Sequence, residues 1–364
     1  MYVVKKIIVL AVFLFAATAC VPLGGLYLQS QGDFFASDVQ TEDLAAVPGD
    51  TDASDAVTDE AQVSADGDAA ADVSGTENTA EREEILVCMA DSGVVEEMEL
   101  IEYTIGVVAA EMPALYEAEA LKAQAAASMN LARRAIAEGT SERFNGGHIS
   151  SSSSVSQAYL THEQMRYKWG DDYEVYYNKI KNAVSAVAPY MIMYEDELCM
   201  TVFHAMSAGR TENSENVWVS ALPYLTAADS SFDSSADSFT VSVRIQADAF
   251  AKGLEVYGFE PTQNARHWLG ESVYSDSGTL LSLQVGEITV SGQQVRSAFG
   301  LRSAAVSVVY EDGEFVLTTK GYGHGVGMSQ YGAQQLALQG KTWQEIIKHY
   351  YKGVSVVERD GVLG

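Results

Sequence analysis

One stretch decides how much of this 364-residue chain can build a core. Between Asp33 and Glu84 stand 16 acidic residues and a single basic one, Arg82, and no aromatic residue occurs from Ala36 to Arg82. A segment of Asp, Ala, Ser, Thr and Gly with this charge cannot bury enough apolar surface to offset its ordering entropy. The sequence therefore predicts a disordered acidic linker over residues 29–84 and a folded part that begins near Ile85. The whole chain carries a formal charge of −28. Phosphate backbones repel such a chain, which excludes nucleic acid as a partner.

Upstream of the linker, Lys5 and Lys6 precede a charge-free run from Ile7 to Leu28. Its length suits a helix that crosses a bilayer. The lysine pair places residues 1–6 in the cytoplasm and everything after residue 28 outside. A second reading stays open, because Ala17-Thr18-Ala19 before Cys20 has the form of a cleavage site or a weak lipobox. Both readings give a protein held at the cell membrane with an extracytoplasmic domain. Cys20, Cys88 and Cys199 are too few and too scattered for a disulfide framework or a zinc ribbon.

Over residues 85–364 the pattern is α+β in a single domain, without an internal repeat. Met98, Ile101, Ile105, Val108 and Met112 recur at helical spacing, and Pro113 ends that helix near Met112. A second helix is expected from Tyr116 to Glu138. Its nine alanines between Ala118 and Ala137 allow close approach, which makes it the central helix. Strands are expected at Tyr190–Tyr194, Cys199–Phe203, Phe239–Ile245, Leu280–Val285 and Ala305–Val309. Ser329 and Thr342 are placed to cap the last two helices.

Three patches can carry chemistry. Glu111, between apolar neighbours at a helix C-terminus, is placed to hold a proton near neutrality. On helix pattern alone, an ordinary surface glutamate before a proline break is the stronger reading. The second patch, Phe203 to Asn213, gathers His204, Ser207, Arg210, Thr211 and Glu212 in a small-residue loop after a strand, suited to hydrogen bonding a polyol. A polar turn with a satisfied histidine explains it equally well. The third, Gly321 to Ala333, spaces its glycines as a tight loop leading into a helix and holds His324, Gln330 and Tyr331. It lacks the surroundings of a dinucleotide fingerprint and is not HExxH.

The three patches, in this order, closely resemble the SpoIID/LytB family, that of stage II sporulation protein D and an amidase enhancer. Glu111-Met112-Pro113 followed by Glu119-Ala120-Leu121-Lys122-Ala123-Gln124-Ala125 is similar to the family's EMP…EALKAQA signature. The Phe203–Glu212 loop resembles FHSxSGGxTE, and Gly323–Ala333 matches GHGVGMSQYGA. Val295-Arg296 and Leu301-Arg302-Ser303 fit the VR…LRS segment. The resemblance covers residues 95–357 and reverses the weighing of Glu111.

The resemblance implies a peptidoglycan lytic transglycosylase that acts on glycan strands stripped of stem peptides during forespore engulfment. It implies Glu111 as the catalytic residue. The histidine and glycine loops would be the substrate-binding ones, through His204, Ser207, Arg210, Thr211, Glu212, His324, Gln330 and Tyr331. It further implies a sporulation amidase and a septal membrane protein as partners. No cofactor is expected and no metal, since His148 and His162 come without a cysteine in the region where some members hold zinc. Ala127-Ser128-Met129-Asn130-Leu131 stands where the family carries AARTY, and Ala208 where it has glycine. Two rivals remain open: a non-catalytic wall-binding amidase enhancer, and a glycan hydrolase using Glu212 as second carboxylate.

Overall fold

The computed structural model of the protein describes residues 83–218 and 220–359. The expected cytoplasmic tail, the anchor and nearly all of the acidic linker lie outside them. Among the described residues no helix is long and apolar enough to cross a membrane.

The fold is mixed α+β. It opens with an antiparallel hairpin, β1 (Glu84–Cys88) and β2 (Val95–Glu99), which runs directly into α1 (Leu100–Glu111). The helical spacing starts at Met98, yet the helix starts at Leu100. Met98 pairs with Ile85 in the hairpin, and strand pairing overrides the local pattern there. Tyr103 to Ala109 are buried without a break, so α1 meets protein on every side. Helix α2 (Ala118–Glu138) follows, with β3 (Ile149–Ser150) extending the first sheet alongside β1. Helices α3 (His162–Trp169) and α4 (Tyr173–Val187), absent from the sequence expectation, come next, and α4 buries Tyr173, Ile180, Ala183, Val184 and Val187 on one face.

Helix α2 holds the expected central place, in contact with α1 and α4. Five of its alanines, at 120, 123, 125, 127 and 132, are fully buried. One residue that departs from the family pattern, Asn130, serves this packing together with Arg133. Asn130 donates to the carbonyls of Ile192 (3.1 Å) and Cys199 (2.9 Å) and accepts from the Ile192 N–H (2.9 Å). Arg133 binds the carbonyls of Ala188 (2.7 Å) and Tyr190 (2.6 Å) and pairs with Glu83. The helix is thereby stapled to strand β4 (Tyr190–Tyr194).

Strand β5 (Glu197–Leu198) and strand β6 (Phe203–His204) flank the segment expected as one strand at Cys199–Phe203. That segment is mostly irregular: Cys199 N–H still reaches the Ile192 carbonyl, but the backbone then turns into the histidine loop.

A second apolar cluster lies in β7 (Thr240–Gln246), α5 (Ala247–Leu254), β8 (Leu269–Tyr274), β9 (Leu280–Val285), β10 (Ile288–Val290), α6 (Gly292–Phe299), β11 (Val306–Glu311) and β12 (Glu314–Lys320). The strands form two three-stranded antiparallel sheets, ordered β11-β12-β7 and β10-β9-β8. The chain leaves the first cluster at Phe239 and returns at Gly321, whose N–H donates to the Phe239 carbonyl (2.8 Å). Thr240 and Lys320 are register partners.

The chain then returns to the first cluster. The glycine loop contains a short strand, β13 (Met328–Ser329), parallel to β6, before α7 (Gln330–Leu338). Helix α8 (Trp343–Tyr350) and strand β14 (Ser355–Glu358), which pairs with β4, complete the structure. Helices α7 and α8 both pack on α2. Ser329 accepts from the Gly332 N–H (3.0 Å), and Thr342 forms a capping box with Glu345, as the sequence predicts.

Candidate active site

Glu111 is the last residue of α1, and a glycine one turn and a residue earlier decides its surroundings. A Cβ at Gly106 would collide with the Tyr159 ring and lie 2.8 Å from the Leu160 carbonyl. Its absence lets the 157–161 loop lie directly on α1. Leu160 N–H bonds the Gly106 carbonyl (3.1 Å), and Tyr159 stacks on Tyr103 with ring centroids 5.8 Å apart. In that position the Ala158 N–H donates to Glu111 Oε1 (3.0 Å). From the other side, Gln330 Nε2 at the start of α7 donates to Glu111 Oε2 (3.1 Å). The same amide faces Gln124 Oε1 (3.4 Å), and Gln124 Nε2 bonds Ser128 Oγ (3.0 Å). Three separate segments thus fix one carboxyl.

Glu111 keeps a partly accessible surface although protein packs densely around it. Loss of solvation raises its pKa above the ordinary carboxylate value. The donors on Ala158 and Gln330 and the nearby Lys168 charge pull it back down. Lys168 on α3 bonds the Ala109 carbonyl (3.0 Å) and so caps the C-terminus of α1. Burial lowers its own pKa, while Glu111 raises it. The arrangement is a carboxyl that can hold a proton and still release it.

The histidine and glycine loops meet through the β6–β13 pairing. A Cβ at Gly323, where φ is +109°, would lie 2.7 Å from the Cβ of His204, so glycine there brings the two loops into contact. His204 is 4% exposed; its Nδ1 faces the Val326 carbonyl (3.1 Å), and Nε2 has no hydrogen-bond partner among the described residues. Burial pushes its pKa down to about 4, with the Arg296 charge adding to the fall and the Val326 carbonyl opposing it. His324 packs 5.5 Å from His204 and 5.2 Å from Trp218, centroid to centroid. Its Nδ1 accepts from the Val326 N–H (3.1 Å). Burial first, then His204 and Arg296, hold it well below the usual imidazole range. Burial thus disfavours the charged form of both rings.

The other expected contacts divide into those turned inward and those left outside. Ser207 Oγ donates to Asp233 Oδ2 (2.6 Å), which also accepts the Ser207 N–H (2.8 Å). Thr211 is fully buried, its hydroxyl accepting from Ala228 N–H (2.8 Å) and its carbonyl accepting from Ser277 Oγ (2.7 Å). Glu212 is 1% exposed and accepts from Asn213 N–H (2.9 Å), Asn216 Nδ2 (2.8 Å) and Ser275 Oγ (2.5 Å). These three side chains brace the loop. Gln330 is buried against Glu111, and Tyr331 is half-buried with its hydroxyl 3.1 Å from Ser235 Oγ. Arg210 stands exposed.

Sequence reasoning missed Ala158, Lys168 and Asp233. The first acts through its backbone, and the second is the one lysine of a short helix with a single buried residue. Asp233 is a fully buried carboxyl whose pKa burial raises, with Ser207 pulling the other way; one acid in a serine-rich stretch gives no signal of this. Among the described residues no three His, Cys, Asp or Glu side chains group to hold a metal ion. His148 accepts from the Leu86 N–H (3.0 Å), and His162 faces Tyr173 and Glu102.

Comparison with known proteins accords with this geometry. The sequence model of a family described as "SpoIID: Stage II sporulation protein" matches residues 90–194, a span that ends with β4 and includes Glu111. Stage II sporulation protein D of Bacillus amyloliquefaciens is 34% identical over 276 residues, covering 74% of this chain and 77% of the relative. The protein of the same name from Bacillus subtilis (strain 168) is 34% identical over 269 residues, with the same coverage. An amidase enhancer of Bacillus subtilis (strain 168) is 24% identical over 305 residues, covering 69% of this chain and 40% of the relative.

Proposed function

The chain belongs to the stage II sporulation protein D family, and on that premise we propose that it is a peptidoglycan lytic transglycosylase with Glu111 as its acid and base. Family membership supports a role in sporulation and is consistent with an enzyme acting on the cell wall. One observation carries the finer reading: the Glu111 carboxyl has a raised pKa, a partly open surface and a single donor on each oxygen. Of the other carboxyls in these loops, Asp233 and Glu212 are buried and bonded into them, while Glu215 and Asp229 stand exposed.

A single working carboxyl suits a cleavage in which the substrate supplies its own nucleophile. Protonated Glu111 gives its proton to the glycosidic oxygen between N-acetylmuramic acid and N-acetylglucosamine as that bond breaks. The resulting carboxylate takes the proton of the muramic C6 hydroxyl, whose oxygen bonds the anomeric carbon and closes a 1,6-anhydro ring. No water is consumed, and Glu111 ends as it began. A hydrolase would need a second carboxylate spaced for a water or a covalent intermediate. The histidine and glycine loops, with Trp218, would position the sugars. The expected setting is the outer face of the membrane during engulfment, on strands that a partner amidase has stripped, with the N-terminal segment as tether.

Digestion of peptide-free glycan by the full-length protein, followed by mass spectrometry of the ends, tests this reading. Anhydro ends, one water lighter than hydrolysed ends, are expected. Glu111→Gln should lower cleavage by about 10²–10⁴, the usual worth of general acid–base help. Reducing ends would make the protein a hydrolase, and undiminished cleavage by Glu111→Gln would remove Glu111 from the mechanism. No cleavage by the wild type would favour the amidase-enhancer reading.

A further inference from the structure

Each oxygen of the Glu111 carboxyl has a donor, but the two donors differ in kind. Oε1 faces the backbone N–H of Ala158 (3.0 Å), which can only donate. That N–H is held in place from α2 and α1, because the neighbouring Gln157 Nε2 donates to the Ser128 carbonyl (3.3 Å) and the Tyr103 hydroxyl (3.4 Å). Oε2 faces the side-chain amide of Gln330 (3.1 Å), a group with donors at one end and an acceptor at the other. A proton on Glu111 therefore belongs on Oε2, where the partner can turn round to receive it.

The Gln330 amide does not act alone. Its Nε2 also meets Gln124 Oε1 at 3.4 Å, the longest link, and Gln124 Nε2 donates to Ser128 Oγ at 3.0 Å. Gln124 and Ser128 stand one turn apart on α2 and are fully buried, and Gln330 is nearly so. Away from water, each polar end of this chain must be satisfied by its neighbour. In the observed polarity every amide N–H serves an acceptor, and the chain presents a donor to the carboxylate. Half a turn of both amides gives the reverse polarity. Protonated Oε2 then donates to Gln330 Oε1, Gln124 Nε2 donates to that same oxygen, and the Ser128 hydroxyl donates to Gln124 Oε1. The chain can end either way because a hydroxyl both donates and accepts. An apolar residue at 128 would leave the inner amide short of a partner in both polarities.

We propose that Gln330, Gln124 and Ser128 form a reversible relay, turned one way when Glu111 is a carboxylate and the other way when it is a carboxylic acid. The inference rests on the acid–base reading of Glu111, since a group that gives a proton and takes one back needs both forms bonded. Gln124 and Ser128 are positioning residues, because they reach Glu111 only through Gln330. The titratable groups that act on Glu111 or feel its charge are Lys168 from α3 and Tyr103 from α1. Lys168 is bonded to the Ala109 carbonyl and Tyr103 to Gln157, so both stand outside the relay.

The test is a pH titration of full-length protein in detergent micelles, followed by NMR with isotope-labelled glutamate and glutamine. Side-chain signals are assigned from the backbone, so the titration needs no variant to fold. The amide signals of Gln124 and Gln330 should shift with the same midpoint as the Glu111 carboxyl. The cross-peak between the Gln124 amide protons and the Ser128 β-protons, present above that midpoint, should be lost below it. In Glu111→Gln neither amide should move. A Gln124 amide that keeps its position and its cross-peak while Glu111 titrates overturns the relay. Cleavage of peptide-free glycan is measured in parallel. Gln124→Met should lower kcat about tenfold, the worth of one hydrogen bond, with KM little changed. A rise in KM with kcat intact overturns the relay as well. Coupled titration in a wild type that cleaves nothing keeps the relay and removes the transglycosylase reading, whereas cleavage with an unmoved Gln124 amide overturns the relay and spares that reading.

Discussion

The two apolar clusters are held together by opposite means. In the first, buried alanines along α2 let α1 and α4 come close, and Gly106 lets a loop lie against α1. The second is built on rings: Phe315 stacks on Phe250 at 3.8 Å and on Trp268 at 5.6 Å, with Phe299, Phe259 and Tyr310 around them. Small residues fix where backbones run, so they can aim a backbone N–H at a carboxyl. Rings fill volume and tolerate shifts of the chain. The candidate carboxyl, Glu111, sits on the side whose backbones approach closely. Between the two clusters the contacts are polar, such as Ser275 with Glu212 and Ser277 with the Thr211 carbonyl.

That contrast can be broken most forcefully at Phe315. Phe315→Ala empties the centre of the ring cluster and should cost about 3–5 kcal/mol. The loss should fall on the second cluster, so an early calorimetric transition should precede the melting of the helical far-ultraviolet signal, whose longest helix lies in the first cluster. One coincident transition in the variant would show that the clusters stand or fall together. Cleavage measured below the first transition should stay near the wild-type rate.

Gly106→Ala sharpens the contrast from the other side. Its stability cost should be smaller, about 1–3 kcal/mol, as for overpacking elsewhere. The added methyl pushes the Tyr159–Leu160 segment away from α1 and withdraws the Ala158 N–H from Glu111. Cleavage should therefore fall by more than the lost stability explains, in protein that remains fully folded at the assay temperature. Retention of full activity would break the link between close packing and the carboxyl.

The smallest effect belongs to Lys168. Lys168→Met removes the cap on the Ala109 carbonyl, worth about 1 kcal/mol at a helix C-terminus. It also removes a charge that lowers the pKa of Glu111, so that pKa rises. An acid catalyst loses activity as pH climbs through its pKa, so the alkaline limb of the rate profile should move to higher pH. Lys168→Arg should restore the limb towards its original position. An unmoved limb in the methionine variant would confine Lys168 to a structural role.

Much of the frame was legible because its signals are local. The alanine pattern of α2, the caps at Ser329 and Thr342 and the strands at Tyr190–Tyr194 and Leu280–Val285 match the structure closely. So does the position of Glu111 at a helix end. What stayed hidden depends on distance in sequence. Strand β2 reads Val-Glu-Glu-Met-Glu and has no strand pattern; only pairing with β1 makes it one. The division into two clusters is set by which aromatic residues meet, not by their spacing. Ser207, Thr211 and Glu212 looked like donors and acceptors for a ligand, yet the structure turns them into the hydrogen bonds that shape the loop. Gln330, expected at the substrate, is one of the groups that donate to Glu111.

The hydrogen bond between Gly321 and the Phe239 carbonyl has a consequence for how such a protein can change. A segment of chain that departs and comes back at one point can be lengthened, trimmed or exchanged with little disturbance of what lies on either side. Residues 240–320 are joined to the rest in this manner, and Glu111, Gln124, Ala158 and Gln330 all lie outside them. Lys320 is the last residue of the segment. Variation within 240–320 can thus reshape that segment while Glu111 and its donors stay where they are, and selection on the two parts can proceed separately.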